Sequence, residues 1–108
     1  MAQVSKKSIK KNIKEKLETN LLIALSEIKN KNEALEFLTN FLSPTEKTML
    51  VKRLAIGLLL LNGNTYHEII NFLKVSPPTI NKISQQLKKK RQLFAKFTKK
   101  LTLPKLNS

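Results

Sequence analysis

Two helix start signals stand eleven residues apart near the middle of this 108-residue chain, and they leave room between them for one short helix and one tight turn. The first is Thr65 with Glu68 three residues later. That is a capping box, in which a threonine oxygen and a glutamate carboxylate each satisfy a backbone donor at the helix start. The second is Ser76 followed by Pro77. Serine is expected to cap orphan N–H groups there, while proline at the first helical position forfeits no needed bond. Around these signals, Ile69, Leu73, Val75, Ile80 and Ile83 fall where two short helices must press their inner faces together. Residues 65–90 therefore read as a helix-turn-helix.

The rest of the chain is also helical in pattern, with no stretch alternating at period two. Ile9, Ile13, Leu17, Leu21, Leu25 and Ile28 predict one long amphipathic helix over 5–29. Lys6, Lys7, Lys10, Lys11 and Lys14 crowd its first turns, where the helix dipole favours anions. A second helix is expected over 33–42, with Ala34, Leu38, Phe41 and Leu42 on its apolar side. Ser43, Pro44 and Glu46 repeat the start grammar, and the helix they open runs to about Asn62, where Gly63 can end it in the left-handed conformation. Apolar residues from Met49 to Leu61 surround that helix almost completely, a pattern expected of burial on most sides. Leu93, Phe94, Phe97 and Leu101 mark a last, basic helix over 91–103, with Pro104 as its stop. The expected fold is all-α, about six helices in a single domain spanning 1–108.

Net charge is +14, and it is unevenly placed. All seven acids lie at or before Glu68, while Lys74, Lys82, Lys88, Lys89, Lys90, Arg91, Lys96, Lys99, Lys100 and Lys105 follow it unopposed. Such a field attracts polyphosphate and displaces its condensed counterions. A solvated face is the ordinary fate of a lysine run, but here the run continues directly from the second helix of the motif, which favours DNA. The absence of cysteine excludes disulfides and thiolate metal sites. One histidine, His67, has no second ligand donor and no nucleophile beside it, and two glycines are too few for a phosphate-cradling loop, so neither an enzyme nor a cofactor is expected. The start MAQVSKKSIKK lacks the features of a secretory signal, and the run Leu54 to Leu61 is far short of the ~18–20 residues that cross a bilayer. The expectation is a cytoplasmic protein that is not embedded in a membrane.

Residues 41–87 resemble the core of the Trp repressor family, especially its YerC-like branch, which has no assigned effector. The landmarks are Leu42-Ser43-Pro44-x-Glu46, Arg53, Gly63 and Thr79-Ile80-x-Lys82. The resemblance implies an intertwined homodimer, in which terminal helices of two chains build one shared core around a pair of DNA-reading heads. It also implies an effector slot. In the Trp repressor two arginines sandwich the corepressor indole and a threonine helps hold it; Arg53 matches the first arginine and Ser43 the threonine, while Lys82 stands in place of the second arginine. Lysine offers no flat guanidinium for stacking, and Ile83 stands where the repressor has a glycine beside the ligand. Ser43, Arg53 and Lys82 thus mark a possible effector pocket, but L-tryptophan binding is not expected.

Within the second helix of the motif, Thr79, Asn81, Lys82, Gln85 and Gln86 are expected on the outer surface if Ile80, Ile83 and Leu87 face inward. Asn and Gln can pair with adenine edges, lysine can reach guanine or phosphate, and proline rings can touch thymine methyls. The expected contacts to double-stranded DNA are therefore Ser76, Pro77, Pro78, Thr79, Asn81, Lys82, Gln85, Gln86, Lys88 and Lys89. Two departures touch the motif: Ile70 replaces the usual small residue of the first helix, and Lys74 the usual glycine of the turn. Pro77 and Pro78 also remove two backbone donors at the end that would face DNA. The leading reading is a sequence-specific transcriptional regulator, a repressor acting as a homodimer. Alternatives are a module resembling sigma-factor region four, which docks on RNA polymerase, and a nonspecific basic RNA- or DNA-binding protein.

Overall fold

The computed structural model describes residues 9–103 and places six α-helices in them, with no strand among the described residues. They are α1 (Lys11–Ser26), α2 (Lys31–Phe41), α3 (Pro44–Leu61), α4 (Tyr66–Leu73), α5 (Pro77–Lys89) and α6 (Arg91–Thr98). The chain divides into two compact units between Lys47 and Thr48.

In the first unit, α1 is shorter than the apolar period predicts. It begins at Lys11 with no side-chain cap and no acid in its first turn, so nothing offsets the lysines against the helix dipole. Lys6 and Lys7 lie outside the described residues. At the other end the helix stops at Ser26, and Ile28 stands beyond it. The α2 helix starts two residues earlier than predicted because Asn30 caps it, its side chain accepting from the Glu33 amide at 2.9 Å. Phe41, expected on the inner side, is 73% exposed and packs its ring against Phe37 with centroids 4.8 Å apart. No residue of α1 or α2 is buried.

The α3 helix opens with the anticipated capping box: Ser43 Oγ accepts from the Glu46 amide at 3.1 Å, and the Glu46 carboxylate accepts from the Ser43 amide at 2.9 Å. The Ser43 amide, and then its hydroxyl, hold the Glu46 carboxyl below the usual carboxylate range. Its end is a Schellman motif. Gly63 sits at φ 86°, its amide donates to the Leu60 carbonyl, and the Asn64 amide donates to the Leu59 carbonyl, both at 3.1 Å. Within the single chain, the first half of α3 is not covered all round. Burial is confined to Ile56, Gly57, Leu58 and Leu59, while Met49, Leu50, Val51 and Leu54 are exposed, because α4, α5 and α6 of the single chain cover only the later turns.

The core of the second unit is small. Ile56 and Leu59 of α3 meet Ile69 of α4 and Ile80 of α5, all fully buried, and Leu60, Ile70, Leu73, Val75, Ile83 and Leu103 pack around them. The α6 helix joins this body at Gly57, where a Cβ would overlap the Phe94 ring. It ends at Thr98, well before the predicted 103, where the β-branched side chain turns its hydroxyl back onto the Phe94 carbonyl at 3.0 Å. Pro104, read as its stop, lies outside the described residues.

The glycine contact generates a test. Gly57→Ala should lower the stability of the protein by about 1–3 kcal/mol through overpacking, read as a drop in melting temperature. Combined with Phe94→Ala, which removes the obstructing ring, the double variant should lose less than the sum of the two single changes.

Candidate nucleic-acid interface

The geometry of the motif is set by three local devices. At the start of α4, Thr65 Oγ1 accepts from the Glu68 amide at 3.2 Å and the Glu68 carboxylate accepts from the Thr65 amide at 2.8 Å, completing the predicted capping box. At its end Lys74 adopts the left-handed conformation, φ 57° and ψ 51°, with its amide donating to the Ile70 carbonyl at 2.9 Å. The turn therefore keeps the backbone shape that glycine normally supplies, at a steric cost of roughly 1–2 kcal/mol for a residue with a Cβ. Ile70, in place of the usual small residue, is half-buried against the core.

The third device differs from expectation. Ser76 occupies the N-cap of α5 with an extended backbone, but its side chain caps no amide. Pro77 and Pro78 have no N–H to offer, and the Thr79 amide donates to the Ser76 carbonyl at 3.1 Å, so the serine hydroxyl pairs with Thr79 Oγ1 at 3.0 Å instead. Thr79 is half-buried rather than fully outward.

Beyond that start, α5 presents two faces. Ile80 and Leu87 are buried and Ile83 packs on the core, as the inward set requires. Pro77, Pro78, Asn81, Lys82, Gln85, Gln86, Lys88 and Lys89 are all exposed, as is Ser76. The exposed amides and Lys82 lie on the middle of the helix, and Lys88 and Lys89 on its last turn. On α4, the Asn71 amide pairs with His67 Nε2 at 3.1 Å.

Beside the turn lies a cleft of about 220 Å³ lined by Met49, Lys52, Arg53, Lys74, Val75, Ser76 and Thr79. Of the three residues read as a possible effector pocket, only Arg53 belongs to it. Lys82 is exposed and not among its walls, and the Ser43 hydroxyl is engaged as the cap of α3. Lys52 and Lys74 bring two further cations to the cleft, neither of which the sequence reading placed there. The usable signals were the Lys52-Arg53 pair on one helix and the lysine in the turn.

Residues 15–102 match the family model described as Trp repressor protein, well over half of the chain. The chain belongs to the Trp repressor family. This is a family of DNA-binding helix-turn-helix regulators rather than of enzymes, and its fold agrees with the all-α architecture found here. Neither a curated protein nor a solved structure gives a match. In this Trp repressor family member, no helix of the described residues is long and apolar enough to cross a membrane.

The left-handed lysine is testable. Lys74→Gly should raise stability by about 1 kcal/mol, a higher melting temperature, because glycine takes this conformation without steric cost. Lys74→Val should lower it, since a β-branched side chain is least tolerated at positive φ.

Proposed function

We propose that this chain is a sequence-specific transcriptional repressor that acts as a homodimer on double-stranded DNA in the cytoplasm, reading base edges with α5. The observation that carries the reading is the exposed row Asn81, Lys82, Gln85 and Gln86 on a helix whose opposite side is locked into the core by Ile80 and Leu87. Amide and lysine side chains held on a rigid helix are suited to the major groove, where adenine and guanine display paired acceptors and donors. Thr79, Ser76, Pro77 and Pro78 flank this row at the entering end, and Lys88 and Lys89 supply phosphate contacts at the other.

Dimerisation is supported by apolar side chains left exposed in the single chain. Ile13, Leu17 and Leu21 on α1, Leu50 and Leu54 on α3, and Phe97 on α6 are each 45% exposed or more. An intertwined core would cover them and would leave no stable folded monomer. Repression then follows from occluding a promoter. Analytical ultracentrifugation at micromolar concentration should give about twice the 12.4 kDa chain mass; a well-folded monomer would contradict the proposal.

The DNA reading is tested by selecting sites from random duplex DNA at near-physiological salt and then measuring two variants. Asn81→Ala should cost about 1–3 kcal/mol on the selected site and little on random duplex, with an unchanged salt slope. Lys89→Ala should weaken both duplexes alike and reduce the log–log salt slope by about 1. Equal weakening of both duplexes by Asn81→Ala would reject base reading by α5.

For the effector, the proposal is that Arg53 and its cleft do not take L-tryptophan, since Lys82 and Ile83 replace the stacking arginine and the glycine. Millimolar L-tryptophan should leave the melting temperature and DNA affinity unchanged. A ligand at 100 times its Kd would add roughly 2.7 kcal/mol to stability, so a clear upward shift would overturn this part.

A further inference from the structure

Resting on the reading of α5 as the recognition helix, we propose that α6 is a second DNA-contacting element, whose cationic face grips phosphates beyond the groove that α5 enters. At a rise of 1.5 Å per residue, Lys89 stands about 6 Å past Gln85 and about 12 Å past Asn81 along the α5 axis. The major groove is about 12 Å wide, and recognition helices read bases with their N-terminal part, so the last turn of α5 stands at the groove edge, where the phosphates are. A single residue, Lys90, then separates α5 from α6. The corner between them holds a cleft of about 390 Å³ lined by Lys88, Lys89, Lys90, Arg91, Gln92 and Leu93.

The α6 helix is divided into two faces. Measured from Arg91 at about 100° per residue, Lys96 lies near 140° and Lys99 near 80°, while Leu93, Phe97 and Phe94 lie near 200°, 240° and 300°. Lys99 continues the right-handed helical backbone at the C-cap, so the count holds to that residue. Phe94 seats one side of the helix on Gly57 and Thr98, at about 340°, is buried beside it, while Arg91, Lys96 and Lys99 are exposed, as are Leu93 and Phe97. No acid follows Glu68, so nothing within α5 or α6 neutralises them. Three cations on one face, continuous with the lysines at the groove edge, match the charge of a duplex backbone and carry no means of distinguishing bases.

The test is the triple variant Arg91→Gln/Lys96→Gln/Lys99→Gln, titrated on the selected duplex and on random duplex across a salt series. The log–log salt slope should fall by about 2–3 on both, near 0.9 for each lost phosphate contact, with the preference for the selected site retained. Gln92→Lys, which adds a cation within the same face, should raise the slope by about 1 and serves equally if the triple variant fails to fold. Slopes unchanged in both variants would overturn the proposal. So would a triple variant that loses affinity for RNA while keeping its duplex slope. Asn81→Ala measured in parallel separates the two readings: if it abolishes preference while the α6 variants change nothing, only the role of α6 falls; if no duplex is preferred by the unaltered protein, the reading of α5 falls with it.

Discussion

The contact on which the rest depends is the meeting of Ile56 and Leu59 on α3 with Ile69 on α4 and Ile80 on α5. The α4 helix has eight residues and α5 thirteen, lengths too short to be stable alone in water, so their order comes from this packing. Truncating any one of four fully buried aliphatic side chains removes about 2–5 kcal/mol, a large share of the stability of a small domain. The same contact sets direction. With Ile80 and Leu87 facing inward, the helical period forces Asn81, Lys82, Gln85 and Gln86 outward, and the interface is a consequence of the core rather than a separate construction.

Features made by local hydrogen bonding or short-range packing could be read directly from the residues. The boxes Ser43–Glu46 and Thr65–Glu68 close as written, Gly63 takes positive φ, and Ile69, Leu73, Val75, Ile80 and Ile83 all join one core. What stayed hidden depends on competition or on distance in sequence. Ser76 has the right residue type for a cap, but two successive prolines remove the first two amides, the Thr79 amide goes to the Ser76 carbonyl, and the serine hydroxyl pairs with the Thr79 hydroxyl instead. Lys74 takes the left-handed region although lysine rarely goes there; its place at the turn's usual glycine was the signal, and the tight turn imposes the conformation. The overlap site at Gly57 joins residues far apart in the chain, and no period announces it. Likewise, exposed apolar residues such as Met49, Leu50, Val51 and Leu54 show that something must cover them, without showing what.

Charge and chemistry divide the second unit in an orderly way. The amides in the middle of α5 are neutral and directional, suited to discriminating base edges, whereas the lysines at its end and the cations of α6 are long, flexible and suited to a diffuse polyanion. Arg53, Lys52 and Lys74 form a third group around the cleft beside the turn. That concentration of positive charge without acids would repel a second copy of the same surface, which favours the apolar helices as the seam of the proposed dimer. Exposed aliphatic residues occur on α1 and, separately, on the first half of α3.

The central claim, that α5 reads DNA from within the major groove, can be examined most directly by affinity cleavage. The chain has no cysteine, so a single Gln85→Cys substitution gives a unique attachment point for a thiol-linked iron chelate that cuts DNA nearby. With α5 in the groove, cleavage should fall at two symmetry-related positions inside the selected site, and the same chelate on Asn32→Cys of α2 should give no cuts at those positions. Diffuse cleavage from Gln85→Cys, or an identical pattern from both attachment points, would contradict the account.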